Sequence, residues 1–223
     1  MEKKLLNKNV AVLVLDGFEE IELTDPVQVL VEAGAKVFII SEGFKVKAWN
    51  KGFWSKEYAV DIQLDDANPE TFNALLLPGG VMNPDKLRMN QKAVDFVKYF
   101  VQNKMPIGAI CHGPWTLIET GLMKGRKLTS YPSIKTDLIN AGANWTDAEV
   151  VVDQGLVTSR KPADLKAFNN KILEEFAEGP HIRDVERGPI RREKDIPTYA
   201  GNNSLNENID DRNWGVDKPS DYE

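Results

Sequence analysis

Runs of aliphatic residues alternate along this chain with segments of helical periodicity. Val10–Leu15 is a continuous β-branched and aliphatic run, the pattern of a strand buried on both faces. Asp16-Gly17 breaks it. A helical pattern then opens on Glu19, Glu20 and Glu22 and stops at Gly34, and Pro26 marks a possible later start, with Glu19–Leu23 as a turn. Lys36–Ile40 reads as a second strand. Two alternating stretches around Lys51-Gly52, Lys45–Trp49 and Tyr58–Gln63, predict a small antiparallel excursion. Phe72–Leu77 is a third buried strand, closed by Pro78-Gly79-Gly80. A helix system follows from Pro84-Asp85 to Gln102, with Val94, Phe96, Val97, Phe100 and Val101 on its apolar face.

Pro106–Ile110 is the fourth buried strand, and it ends in Cys111. Gly113-Pro114 follows, then a helical pattern from Trp115 to Leu122. Lys127–Tyr131 suggests a short strand or turn, and Pro132–Ala141 a short helix ended by Gly142. A hairpin is expected at Gln154-Gly155, between Glu149–Asp153 and Leu156–Ser159, and a closing helix from Ala163 to Phe176. Strands and helices alternating in this way predict an α/β three-layer sandwich on a mostly parallel sheet. After Gly179 the composition turns to Asn, Asp, Arg, Pro and Gly without periodicity. The expected organisation is therefore a domain over 1–178 and an extended or partly disordered extension over 179–223, whose scattered Ile, Tyr and Trp residues suit an arm laid on a neighbouring surface.

Charge and cysteine content narrow the class. A net charge of −6, with no basic run, argues against nucleic acid as a partner. A single cysteine excludes an intrachain disulfide and fits a reducing compartment. The opening apolar run is too short for a signal peptide, and no stretch is long enough to span a bilayer, so a cytoplasmic protein is expected. No metal or cofactor is expected.

The chemistry centres on Cys111. A cysteine where a strand turns into a helix has the layout of a nucleophile elbow, and the helix start would lower its pKa. The same spacing also suits a buried structural cysteine. In a parallel sheet the loops after Leu15, Leu77 and Ile110 emerge together, carrying Glu19 and Glu22, Gly79 and Gly80, and Cys111. A buried carboxyl beside the sulfur would have a raised pKa and could donate to it. His112 is adjacent in sequence. On a helix it would point roughly 100° away from Cys111, a poor position for a base.

Several of these segments, in this order, resemble the PfpI/ThiJ family: Gly17-Phe-Glu-Glu-Ile-Glu-Leu23, Leu76-Leu-Pro-Gly-Gly80, Ala109-Ile-Cys-His-Gly-Pro114 and Gly125-Arg-Lys-Leu-Thr-Ser-Tyr131. Ile139-Asn-Ala-Gly142, Asp147–Asp153 and Thr158–Leu165 add to the likeness. The resemblance implies a flavodoxin-like fold and a homo-oligomer with the site near a subunit interface. It implies Cys111 as nucleophile, Glu22 as the acid bonded to it, and the backbone N–H groups of Gly80 and His112 as an oxyanion hole. Asp85 would meet the histidine across the subunit interface, and Glu19, Gly79 and Tyr131 would line the pocket. Substrates would be small reactive carbonyls, as in a glyoxalase or deglycase, or peptides, as in an intracellular peptidase or amidase. A non-enzymatic redox sensor or stress-induced holdase uses the same thiol. The extension beyond Gly179 departs from the compact family pattern.

Overall fold

The computed structural model describes residues 4–181. The expected extension therefore lies, beyond His181, outside the described residues. In chain order the strands are β1 (Asn9–Leu13), β2 (Phe18–Glu19), β3 (Lys36–Ser41), β4 (Lys45–Asn50), β5 (Phe53–Ala59), β6 (Ile62–Gln63), β7 (Ala74–Leu77), β8 (Ile107–Ile110), β9 (Lys127–Leu128), β10 (Asn144–Trp145), β11 (Val150–Asp153) and β12 (Leu156–Ser159). The helices are α1 (Glu20–Glu32), α2 (Met82–Met89), α3 (Gln91–Gln102), α4 (Pro114–Ile118), α5 (Lys135–Asn140) and α6 (Leu165–Glu178). Seven strands form the central sheet in the order β11-β12-β8-β7-β1-β3-β6. All its pairs are parallel except the β11–β12 hairpin. Among the described residues no helix is long and apolar enough to cross a membrane.

The strands are continuous apolar runs because both faces are covered. Val10, Val12 and Val14 share one packed layer with Leu23, Val27 and Leu30 of α1 and with Phe168, Ile172 and Phe176 of α6. Ala11, Leu13 and Leu15 face the other layer, with Phe96, Val97 and Phe100 of α3 and Leu117 of α4. Phe168, Ile172 and Phe176, four apart on α6, are completely buried. Each such side chain contributes roughly 1.5–3 kcal/mol through removal from water. The three-layer sandwich is thus as the sequence predicts.

One open boundary is decided and three local expectations are corrected. Helix α1 starts at Glu20, with Pro26 inside it rather than at its head. The antiparallel excursion pairs β4 with β5 across Lys51-Gly52, while Ile62–Gln63 leaves it and joins the main sheet beside β3. The single helix system at Pro84–Gln102 is two helices, split at Asn90, whose side chain caps α3 by accepting from the N–H groups of Lys92 and Ala93. The helix after Cys111 is only Pro114–Ile118.

One buried polar residue, which sequence patterning passed over, ties the strand ends together. Asn83 is completely buried in α2. Its Oδ1 accepts from Leu15 N–H at 2.7 Å, and its Nδ2 donates to the carbonyls of Pro78 (2.9 Å) and Gly79 (3.1 Å). It therefore clamps the loop after β1 to the Gly79-Gly80 loop after β7. Asn83→Ala strands these backbone groups without partners, so urea denaturation should show a loss of about 2–4 kcal/mol. A loss below about 0.5 kcal/mol would mean that water replaces the clamp.

Candidate active site

The site forms where β1, β7 and β8 end side by side. Cys111 follows β8 directly and takes φ +61°, a left-handed conformation that non-glycine residues rarely adopt. Such a residue costs about 1–3 kcal/mol and persists only when its surroundings hold it. Here the Cys111 N–H donates to the Ser159 carbonyl (3.0 Å), and the Cys111 carbonyl accepts from Tyr131 N–H (2.8 Å). Gly113 N–H closes the turn onto the Ile110 carbonyl (2.8 Å). The elbow is therefore set by backbone bonds from β12 and the loop after β9. The helix that follows has five residues, too few to supply the dipole that the sequence reading invoked.

Glu22, in the first turn of α1, has no solvent exposure. Its Oε2 accepts from the Gly79 N–H at 2.9 Å. Oε1 is buried without a well-formed bond of its own. The Cys111 sulfur and the Gly80 N–H lie within reach of the same carboxyl. Gly79 has to be glycine, because a Cβ there would collide with Glu22 Oε2 and come 2.6 Å from the Cys111 Cβ. Gly80 takes φ +76°, and a Cβ on it would lie 2.7 Å from the Glu19 nitrogen. Its N–H and that of His112 both favour negative charge on the sulfur. The expected donors therefore converge on Cys111.

His112 is placed differently from the helical expectation. Its Nδ1 lies 3.2 Å from the Cys111 sulfur, and its Nε2 is 2.9 Å from Ser133 Oγ. The left-handed elbow, not a helix, relates the two neighbours, so the 100° argument does not apply. Tyr131 stacks on the imidazole at 4.7 Å between centroids with a 24° tilt. Ser133 was missed by sequence reasoning; its only signal was the short turn Tyr131-Pro132-Ser133 after the Leu128 strand. Asp85 is exposed on α2. Within one chain it is not among the groups bonded to His112.

Three glutamates within four residues have different electrostatic fates. Burial, reinforced by Glu19, pushes Glu22 up to about 8. Burial, with Glu20 beside it, pushes Glu19 up to about 7. Burial also acts on Glu20, but hydrogen bonds outweigh it and hold the pKa below the usual range. Those bonds come from Ser55 Oγ (2.6 Å), Tyr58 OH (2.6 Å) and Asn50 Nδ2 (2.9 Å), so Glu20 anchors the β4–β5 hairpin to α1. Burial holds His112 below its usual value, which favours neutral imidazole.

The thiol does not have the lowered pKa that the sequence reading expected. Burial raises it first, and an ionised Glu22 raises it further. At neutral pH, however, Glu22 keeps its proton. A neutral carboxylic acid has no charge to oppose a thiolate and has a proton to share with it. The Glu22 proton and the two backbone N–H groups, rather than a helix dipole, are what can stabilise the sulfur anion.

A flavodoxin-like sandwich with a strained cysteine elbow facing a protonated glutamate defines an α/β protein of the cysteine-elbow class. The chain belongs to the DJ-1/PfpI family, whose sequence profile matches residues 8–175. It is 48% identical over 169 residues to the Bacillus subtilis protein named "Putative cysteine protease YraA", covering 75% of this chain and 98% of that one. It is 44% identical over 164 residues to Deglycase PH1704 of Pyrococcus horikoshii, covering 74% and 96%. Among solved structures, Drosophila melanogaster DJ-1beta superposes with a TM-score of 0.70 at 31% identity, covering 77% of this chain and 91% of that one.

The raised glutamates make stability depend on pH. Between about pH 4.5 and 8 the folded chain holds a proton on Glu22 that the unfolded chain has released. Stability therefore declines as pH rises through that window and levels off above it. Urea unfolding at a series of pH values should show this decline, and Glu22→Gln should flatten it, leaving the smaller contribution of Glu19. Parallel slopes in the two proteins would show that Glu22 ionises normally.

Proposed function

We propose that this chain is a cysteine-dependent enzyme acting on small reactive carbonyls, with Cys111 as nucleophile and Glu22 as the proton carrier. The observation that carries this reading is the fully buried Glu22, raised to about 8 and within reach of the sulfur. The deglycase name of the Pyrococcus horikoshii relative supports it. In a substrate such as methylglyoxal the sulfur attacks the aldehyde carbon, and the carbonyl oxygen takes up a proton to give a hemithioacetal. In this reading the Gly80 and His112 N–H groups steady the oxygen as it gains charge. Glu22, once it has given up its proton, can take the proton from the former aldehyde carbon and return it to the adjacent carbon. That leaves a thioester, which one water hydrolyses to lactate and free thiol. The net change is methylglyoxal plus water to lactate, with no electrons added or removed.

One geometric observation favours a second reading, peptide or amide hydrolysis. The contact of Cys111 with His112, continued to Ser133, is a nucleophile–base–orienter chain in which the imidazole can protonate a leaving amine. Asp85, exposed on α2, would enter that chain only in an oligomer, from a second copy.

The two readings separate by mutation. Lactate formation from methylglyoxal and hydrolysis of a fluorogenic peptide should be measured side by side, with Cys111→Ala as the null. In the carbonyl reading Glu22→Gln lowers lactate formation by roughly 10²–10⁴-fold, because an amide bonds but cannot carry the proton. His112→Gln then costs far less. The reverse order, with peptide turnover lost in His112→Gln and kept in Glu22→Gln, selects hydrolysis. Full lactate formation by Glu22→Gln removes the carbonyl mechanism.

A further inference from the structure

Helix α6 ends in an electrostatically unfavourable way. Its last turn carries Glu175 and Glu178 and no basic residue. The carbonyl end of a helix is negative, so an acid there is normally disfavoured. Gly179 then takes φ +86° and turns the chain back, so that His181 returns beside the two carboxylates. Its Nε2 lies 2.8 Å from Glu175 Oε2. One ligand atom from each of Glu175, Glu178 and His181 falls within 4.8 Å of the other two.

The imidazole is held in place from outside the cluster. The His181 N–H donates to the Lys104 carbonyl at 3.1 Å. The ring rests on Gly155, where an added Cβ would come 3.0 Å from Cδ2. The nearby Lys8 ammonium, 3.8 Å from the place a Gly179 Cβ would occupy, offsets part of the negative charge at the helix end. Lys171, paired with Glu174, also feels both acids, yet the two carboxylates still meet the imidazole at the negative end of the helix.

We propose that Glu175, Glu178 and His181 form a binding site for a divalent transition-metal ion of the zinc type, separate from the Cys111 site. One imidazole with two carboxylates is a nitrogen–oxygen ligand set that zinc accepts, with water completing the coordination. The imidazole disfavours magnesium and calcium, which prefer oxygen alone. The ion would replace the direct His181–Glu175 contact, neutralise the acids at the helix end, and fasten the segment after α6 to the β11–β12 turn and the loop before β8. Sequence spacing concealed this cluster, because the three residues straddle a helix end.

The test uses the full chain carrying Cys111→Ala, so that the thiol cannot serve as a competing soft ligand. Zinc chloride is titrated by calorimetry, and the thermal midpoint is followed with and without zinc. One ion per chain is expected, with a zinc-dependent rise in midpoint. Glu178 is exposed, so Glu178→Gln keeps the fold; it and His181→Ala should each weaken binding at least tenfold and abolish the rise. Magnesium chloride should bind far more weakly. Absence of stoichiometric zinc binding overturns the assignment, and so does affinity within twofold of the parent in either variant.

Discussion

Burial of the Glu22 carboxyl is the constraint from which the rest of the site follows. An acid with no solvent exposure keeps its proton or finds a cation, and among the described residues no cation is bonded to it. Its neighbours at the strand ends are a sulfur and glycine N–H groups, all of them partners for a proton-sharing group. Gly79 is required because a side chain there would fill the space between carboxyl and thiol, and Gly80 because a Cβ on it would collide with the backbone of Gly17 and Glu19. Asn83 holds that glycine loop against the end of β1. The proposed chemistry thus rests on one protonated acid, which the packing of α1 against the sheet buries.

The run Glu19-Glu20-Ile21-Glu22 shows how packing differentiates identical side chains. In sequence all three acids read as first-turn residues suited to a helix dipole. In the fold, Glu20 points to the β4–β5 hairpin and is satisfied by three donors, while Glu22 points to the sulfur and stays protonated. No local rule separates them, because what separates them is contributed by residues 30 to 90 positions away: Asn50, Ser55, Tyr58, Gly79 and Cys111. The family resemblance implies Glu22 as the acid beside the cysteine, an assignment that no local pattern in this run can make.

The fold was legible where hydrophobic periodicity is strong. Val10–Leu15, Phe72–Leu77 and Pro106–Ile110 lie in both packed layers at once, and such runs can hardly be anything but interior parallel strands. Legibility failed where backbone bonds, not side-chain pattern, decide. Asn90 splits a continuous apolar face by capping a new helix, and Ile62–Gln63 changes sheets because the edge of β3 is free to pair. Ser133 and Asn83 were invisible for a related reason. A small polar residue has no periodic signature, and its importance comes only from the atoms the fold brings to it.

The relation between Cys111 and His112 is the clearest case in which strain changes chemistry. Neighbours on a helix diverge, so adjacency would have kept the imidazole from the sulfur. At φ +61° the cysteine side chain leaves the path a helix would give it, and the thiol meets Nδ1 of its own neighbour while remaining against Glu22. The conformation costs free energy that the thiol itself does not recover. It is held by the Ser159 carbonyl and the Tyr131 N–H, groups on two separate segments that would lose their partners if the elbow relaxed. The hairpin strand β12 and the loop carrying Tyr131 therefore shape the site without touching the sulfur. They hold open a geometry in which one thiol faces an acid on one side and an imidazole on the other.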